Sequence, residues 1–456
     1  MKDFAFILLS AALALPSALG AQSGIPDNPD SLFESGGENP QPAAPTPPFQ
    51  AKGVEVGGTL FSDYTGFLNW TGAYPDLGNP AAGASSLFVP DLEADLYLDA
   101  RPFDNLRVFA KIKAAYPFST TAAAAGLQSP FVPNLPGVSV FEVYADLNFN
   151  DSLYFRAGQQ VVNWGVGYFF SPADIISLTP INPLQPTLER AGPLALKVNA
   201  PFAEVDNLYL YVIANQAFAQ IGSFRLDELA VAPKVEVLLG GWEVGLGGYY
   251  QQNQRPKAMM TATGSLFGQL GLLAEGVLRR GMDTVVVQES TSAPGTFLSS
   301  IDTATPTFSG TIGVRYLQAD WHISFIAQYC YNGQGYADSA GERAAKAAYT
   351  LQAQGTPPLG PQLSQSDAFQ PGRHYLAGQI SWTDILSSRV DLAVFYEGNL
   401  SDGSGVTSPS ISFTPFRNFM LTFAPWISYG ADNTEFVSMF GRFSLSLKLT
   451  MGAGSF

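Results

Sequence analysis

The chain has 456 residues, 46% hydrophobic and 13% aromatic, with 45 Gly, 33 Pro and only 13% charged residues, against roughly 25% charged in an average soluble domain. Its 33 Phe, 19 Tyr and 6 Trp exclude intrinsic disorder, and after the N-terminus no apolar run reaches the roughly 20 residues of a membrane helix. A net charge of −15 argues against a nucleic-acid binder, and one Cys with two His cannot build a Cys/His metal cluster, so a large β protein rich in Gly and aromatics remains, with an all-oxygen cation site of the calcium kind still open.

Residues 1–20 read as an export signal: Lys2 gives a thin positive start, Phe4 to Leu15 an apolar stretch, and Ala18, Gly20 and Ala21 the small residues of a cleavage point after Gly20. No Cys follows them, which excludes a lipid anchor. Residues 21–52 form a Pro-rich leader, with seven prolines between 24 and 52, a composition that gives an extended linker and no packed core. Its apolar island Ser31-Leu32-Phe33-Glu34 belongs either to a disordered tail or to a segment that docks on a partner or in a barrel mouth.

From Gly53 onward the apolar period is two, the signature of strands. In the hairpin 91–113, Leu92, Ala94, Leu96, Leu98 and Ala100 alternate with Asp91, Glu93, Asp95, Tyr97 and Asp99, and the partner alternates Leu106, Val108, Ala110 and Ile112 with Arg107, Phe109, Lys111 and Lys113. One register, with opposed numbers summing to 206, sets Asp99 against Arg107, Tyr97 against Phe109, Asp95 against Lys111 and Glu93 against Lys113. Each ion pair contributes only ~0.2–1 kcal/mol. Their weight is diagnostic, because a charge at the bilayer midplane costs about 2–4 kcal/mol and this face must therefore be wet. The solvated outer face of a soluble sheet fits the hairpin equally well. In the next hairpin Phe141, Val143, Ala145, Leu147 and Phe149 form one face and Glu142, Tyr144, Asp146 and Asn148 the other, so that Asp146 opposes Arg156 and Glu142 opposes Gln160.

The join 163–191 is long, aromatic and poor in charge, with Trp164, Phe169, Phe170, Pro172, Asp174, Glu189 and Arg190 among its residues. Two readings stay open: a segment folded back into a barrel as a constriction, held by Pro rigidity and aromatic packing, or an exterior hairpin extension. Gly158, Gln159, Trp164, Gly165, Phe170, Pro172, Asp174 and Pro183 spell G-Q-x-x-x-x-W-G, then F-x-P-x-D and a Pro-rich run. This stretch of about 35 residues resembles a group of poorly characterised bacterial outer-membrane β-barrel proteins. The resemblance implies an outer-membrane barrel with porin-like transport. In general porins the constriction loop also lies between the fifth and sixth strands, a similarity of placement by analogy.

Along the rest of the chain the inward phase carries Lys197, Lys234, Glu236, Glu243, Glu275, Arg279, Arg315, Asp391, Glu397, Arg442 and Lys448. The last segment repeats the alternation, Phe443, Leu445, Leu447, Leu449 and Met451 against Arg442, Ser444, Ser446, Lys448 and Thr450. Joins alternate strictly: short near 101–105, 148–152, 201–207, 240–241, 266, 318–320, 384–388 and 414–417; longer at 67–90, 116–137, 163–191, 217–228, 281–306 and 333–372, with tight joins near 254, 402 and 432 on the longer side. Alternating short turns and long loops is the outer-membrane barrel pattern, with the leader in the periplasm. The count is about 18 strands, or 16 if the weak segments 257–265 and 407–414 are not strands.

The predicted fold is therefore an all-β, antiparallel up-and-down transmembrane β-barrel over 53–456, localised to the bacterial outer membrane. The function this favours is a porin-like channel for passive diffusion of ions or small solutes through a charged, hydrated lumen, mildly cation-biased. Its partners are outer-membrane lipid, small solutes and the barrel assembly machinery, which would read the last strand and Phe456; no nucleic acid and no cofactor is implied, and the oligomeric state is open. The rivals are a hydrophobic-substrate transporter with an N-terminal hatch, whose lumen should be apolar, and an adhesin or structural surface barrel, for which the Ala-rich stretch 337–348 could form a short outer helix. An enzyme is disfavoured, because Cys330 lies eight residues from His322, roughly 26 Å along a strand, and His374 is a strand-start residue.

Overall fold

The computed structural model describes residues 53–455 apart from 71, 73, 77, 80–81, 117–136, 179, 204, 215–225, 253, 365–366, 368–369 and 386–387. The export signal, the leader and Phe456 lie outside the described residues. In chain order the strands are β1 (Gly53–Trp70), β2 (Ser85–Phe103), β3 (Leu106–Tyr116), β4 (Gly137–Phe149), β5 (Leu153–Gln159), β6 (Leu194–Phe202), β7 (Asp206–Ile213), β8 (Ala230–Leu239), β9 (Trp242–Gln251), β10 (Lys257–Leu266) and β11 (Leu270–Arg280). A small hairpin, β12 (Val286–Glu289) and β13 (Phe297–Ser300), stands outside the main sheet. The series continues with β14 (Pro306–Gln318), β15 (Ile323–Tyr331), β16 (His374–Trp382), β17 (Val390–Asn399), β18 (Ser404–Phe416), β19 (Phe419–Tyr429) and β20 (Phe443–Ser455). Each main strand pairs antiparallel with its neighbours in sequence, and β1 pairs with both β2 and β20, closing an 18-stranded barrel with no free edge. The two weak segments are β10 and β18, so the count is 18 and not 16.

The short turns follow from backbone chemistry. Gly240 and Gly241 (φ 59° and 85°) take the positive φ that a two-residue I′ hairpin requires, and Asn150 and Asp151 (φ 52° and 53°) take it in the three-residue β4–β5 turn, residue types that tolerate it best. Every join at this end is short, and Phe103, Phe149, Phe202, Phe267, Trp321 and Phe416 are exposed around it, an aromatic girdle at one rim. The opposite end carries the long joins, with helix α1 (Ser339–Ala353) between β15 and β16 and helix α2 (Glu435–Phe440) between β19 and β20.

Burial is inverted relative to a soluble domain. Leu96, Leu98, Val108, Ile112, Leu278, Phe308, Ile312, Leu392 and Leu447 are exposed, whereas Asp63, Thr65, Asp99, Lys234, Glu275, Gln328, Thr422 and Lys448 are buried. An apolar exterior around a polar interior, closed by a continuous strand ladder, is what a bilayer demands of β structure.

Three details differ from the sequence reading. The β2–β3 register pairs Asp95 with Lys113, Tyr97 with Lys111 and Asp99 with Phe109, two residues from the expected one, after an irregularity between Ala100 and Phe103 at the turn. A shift of two preserves the faces, and the expected partners meet diagonally: Arg107–Asp99 at 3.0 Å, Lys111–Asp95 at 3.4 Å, Lys113 with Glu93, and stacked Tyr97 and Phe109 rings. Second, Phe141 does not share the outward face of Val143: a bulge where Lys111 pairs with Glu142 and Ile112 with Val140 turns its ring to the Lys111 and Lys113 ammonium groups, 5.7 Å from each. Third, Glu142 does not meet Gln160. It accepts the Val161 N–H at 3.1 Å, while the Gln160 amide donates to the Ala195 carbonyl at 3.1 Å, because β5 ends at Gln159 and the chain turns inward there.

Candidate functional site

The inner face of β2–β5 is a continuous ion-pair lattice. Nearest the short turns, Asp99 binds Arg101 (2.9 Å) and Arg107 (3.0 Å), Arg107 reaches Asp146 (3.6 Å), and Asp146 binds Arg156 (2.7 Å). Above this level Tyr97, Phe109 and Tyr144 stack in a row, with the Arg156 guanidinium 4.0 Å from the Tyr144 ring centre. Next come Asp95 and Lys111, then Glu93 and Lys113. Asp91 pairs in register with Asp63, whose charge is met by Lys448 at 2.6 Å. Lys197 rests 5.2 Å from the Tyr209 ring, Lys234 binds Glu236 at 2.5 Å, and Arg315 lies inward where Gly271 leaves it room. Arg442 does not line the lumen wall: it precedes β20 and its guanidinium is taken by Asp432 and the Gly430 carbonyl within the β19–β20 join.

The chain between β5 and β6 crosses the barrel. β5 is fifth and β16 fourteenth in a ring of 18 strands, hence on opposite walls, yet Phe170 packs on Tyr375 of β16 and Phe169 on Phe395 of β17, with ring centres 5.9 Å apart in both pairs. Two side chains on the far wall take up backbone N–H groups of the segment. The Glu275 carboxylate accepts from Val166 (2.5 Å), Gly167 (3.0 Å) and Ala173 (3.1 Å), and Gln328 Oε1 accepts from Tyr168 (2.9 Å) and Phe169. Lys234 donates to the Trp164 carbonyl at 3.1 Å, and Trp164 stands edge-on to Tyr211. Within the segment Asp174 is the hub, accepting from Arg190 (2.8 Å) and Ser177 (2.8 Å), while Arg190 also donates to Asn163 (2.7 Å). Pro172 is half-buried between Phe170 and Asp174, and Glu189 reaches back to Lys111 at 2.5 Å.

This geometry gives the Gly-Gln and Trp-Gly positions a physical reason. Gly158 has φ 138°, and a Cβ there would strike the Val143 carbonyl; one on Gly165 would strike Ser171 Oγ and the Glu275 carboxylate. The Gln159 amide donates to the Val140 carbonyl at 3.0 Å, fixing the point where the chain leaves the wall.

The segment packs against inward residues of the wall in two apolar clusters. Val162, Trp164, Ala173 and Ile176 form one apolar cluster with residues of β6–β11, including Tyr211, Ala232, Tyr249, Met259 and Val277. Tyr168, Phe169, Phe170 and Leu184 form another with Cys330, Tyr375, Phe395, Val406, Trp426 and, from α2, Phe436. Gln328 and Glu397 on that side are each 1% exposed. On β2–β5 most of the paired inward side chains keep solvent, Glu93 14%, Lys113 16%, Lys111 19%, Arg156 21% and Arg107 24%, whereas Asp99 is buried at 8%.

The sequence reading missed a polar node at the long-loop end. The Asn399 amide donates to Glu342 of α1 and to Glu435 of α2, each at 2.8 Å, and the Tyr375 hydroxyl donates to Glu435 at 2.9 Å. Lys346 of α1 bonds Ser438 of α2. Burial and the neighbouring Asp402 and Glu435 carboxylates push Glu342 up to about 9. Burial lifts Glu435 to about 7 against the pull of its Tyr375 and Asn399 bonds. Cys330 is buried on the inner face, whereas His374 pairs in register with Tyr331, a position facing the other way, and bonds the Tyr329 hydroxyl.

A closed antiparallel barrel with this exterior and interior is a transmembrane β-barrel. No family model matches the chain, and no curated protein does. Among solved structures it is similar to Acinetobacter baumannii OccAB4 (8% identity, 90% of this chain and 100% of that one, TM-score 0.49). It is also similar to Pseudomonas aeruginosa OccK9 (OpdG) (9%, 88% and 98%, TM-score 0.47) and to Salmonella typhi OmpF in complex with daunomycin (11%, 89% and 98%, TM-score 0.42). The fold assignment rests on the closed strand ladder itself.

Proposed function

We propose that the protein is an outer-membrane channel through which small hydrophilic solutes and ions diffuse along one side of the barrel. The observation that carries this reading is the contrast between the two walls. Apolar inward residues of β6–β11 and of β15–β19 are packed against the crossing segment in two clusters, while the charged face of β2–β5 is ion-paired and retains solvent. Side chains in ion pairs that mostly keep 14–24% exposure, with Asp99 at 8% and Arg101 at 35%, suit a wetted conduit and not a sealed core, where an incompletely paired charge is costly. The lane's narrow point is the Lys111–Glu189 contact, so Trp164, Phe169, Phe170, Pro172, Asp174 and Arg190 act by holding the crossing segment and Glu189 by facing the lane. The short turns face the periplasm, and the last strand with Phe456 is the part the assembly machinery would read. Gly158, Gln159, Trp164, Gly165 and Asp174 of the Gly158–Pro183 stretch each hold a position in the crossing. A hydrophobic-substrate transporter would need an apolar path in place of this charged one.

The test is reconstitution. Purified protein in planar bilayers should give stepwise conductance, and a silent bilayer from a barrel shown to be folded by its heat-modifiable gel mobility would overturn the reading.

A further inference from the structure

The charges of the lane are sorted by strand. From Asp99 toward the long loops β2 offers Asp99, Asp95 and Glu93, with Arg101 beyond Asp99 at the short-turn end, and β3 offers Arg107, Lys111 and Lys113, each bound to its neighbour across the ladder. β4 is acidic again at Asp146 and β5 basic at Arg156, 2.7 Å apart. Acidic and basic stripes therefore run side by side along the strands, about 4.8 Å apart, from the short-turn end toward the long loops.

Such a lattice treats solutes according to how their charge is distributed. A net anion or cation touching the wall meets one attractive and one repulsive stripe at every level, so the contributions largely cancel. An uncharged solute gains no ionic contact. A small solute carrying an ammonium and a carboxylate a few ångströms apart can lie across two stripes, each end near its opposite. Because the stripes follow the strands, it keeps that orientation as it moves from the Asp99–Arg107 level past Asp95–Lys111 to Glu93–Lys113. Glu189 adds a carboxylate on the facing side of Lys111 at the narrow point.

We infer that the lane selects small zwitterions of the α-amino acid kind over uncharged and net-charged solutes of the same size, with the acidic stripe of β2 and the basic stripe of β3 as its specificity determinants. The inference rests on the channel reading above. The experiment compares swelling of proteoliposomes in L-alanine with that in lactamide, an uncharged solute of nearly identical size, alongside bilayer conductance of the same preparation. Alanine should enter about fivefold faster, the factor expected of one additional solvated ionic contact. In Lys111→Gln/Lys113→Gln, which removes two rungs of the basic stripe, the ratio should fall toward one while conductance persists and its reversal potential moves toward cations. Equal alanine and lactamide rates in a conducting wild-type protein would overturn the inference and leave the channel standing. Absence of conductance would overturn the channel reading and this inference with it. The wild-type ratio needs no variant, so poor folding of the double variant does not decide the outcome.

Discussion

Replacing Glu275 with Ala removes the one carboxylate to which the crossing segment anchors at three successive points. Val166, Gly167 and Ala173 donate to it at 2.5, 3.0 and 3.1 Å, and water is a poor substitute there, because Glu275 is 5% exposed and Ala173 fully buried. A buried donor left without an acceptor costs about 1–3 kcal/mol, so three of them take about 3–9 kcal/mol from the hold on the far wall. Water admitted to the space left by the side chain brings the net toward the lower end. What remains at the tip is Gln328 with two N–H bonds and the Phe169 and Phe170 contacts, so the Trp164-to-Ala173 stretch should leave β11 while the barrel stays closed. Unit conductance in planar bilayers should rise, the open-channel current should become noisier, and protease should cut within 160–193 where it does not in the parent. Glu275→Gln should fall between, since its carbonyl oxygen serves at most two donors and its NH2 opposes the third. An unchanged unit conductance and cleavage pattern in a folded Glu275→Ala barrel would refute the anchoring argument.

Deleting Gly167 to Leu188 should raise unit conductance further, and an unchanged value would place the segment outside the current path. Gly165→Val should act in the same direction as Glu275→Ala, because any Cβ at that position falls on Ser171 and the Glu275 carboxylate; a parent-like current would show that the wall yields. Lys111→Gln leaves Asp95 and Glu189 without their cation and should move the reversal potential in a KCl gradient toward cations, so an unmoved potential would exclude this level from the narrow point. Docking of α1 and α2 should be pH-dependent. With Glu435 raised to about 7 and Glu342 to about 9, the protonated forms favour docking. Their contribution is complete below the ordinary carboxylate range near 4.5 and lost as pH rises through 7 and on to 9. Protease sensitivity of the β15–β16 join should therefore increase with pH, less steeply in Glu342→Gln, and a flat profile would remove the node's role.

Strand existence, turn placement and the inward phase were legible in the sequence because each depends on neighbours one or two residues away. The two-residue error in the β2–β3 register arose where local information ends. Both registers keep the same faces, and the choice between them is made by backbone geometry at the Ala100–Phe103 irregularity, not by the charges, which reach their partners diagonally in the observed one. Phe141 was misplaced because a bulge interrupts a period of two and nothing in its neighbours announces it. The node at Glu342, Asn399 and Glu435 joins residues 36 and 57 positions apart and has no local pattern at all.

The far-wall anchors nevertheless left a trace. Glu275 faces Thr261 on β10 and Thr311 on β14, Gln328 faces Gly313 and Ala377, and Glu397 faces Ala377 and Val406. None of these cross-strand neighbours carries the opposite charge that Arg156 brings to Asp146, and Gly313 and Ala377 offer Gln328 no polar side chain. An inward polar group without a partner in the ladder must find one elsewhere or bear the cost of an unpaired buried group. At Glu275 and Gln328 the partner is the backbone of the crossing segment, and at Glu397 it is the Gln370 side chain at 3.2 Å. Inward charges with an opposite charge on the next strand can stay on the wall and keep their water, which is why they mark the lane. Glu275 on β11 and Gln328 on β15, which have no such partner, are where the crossing segment is held against the wall.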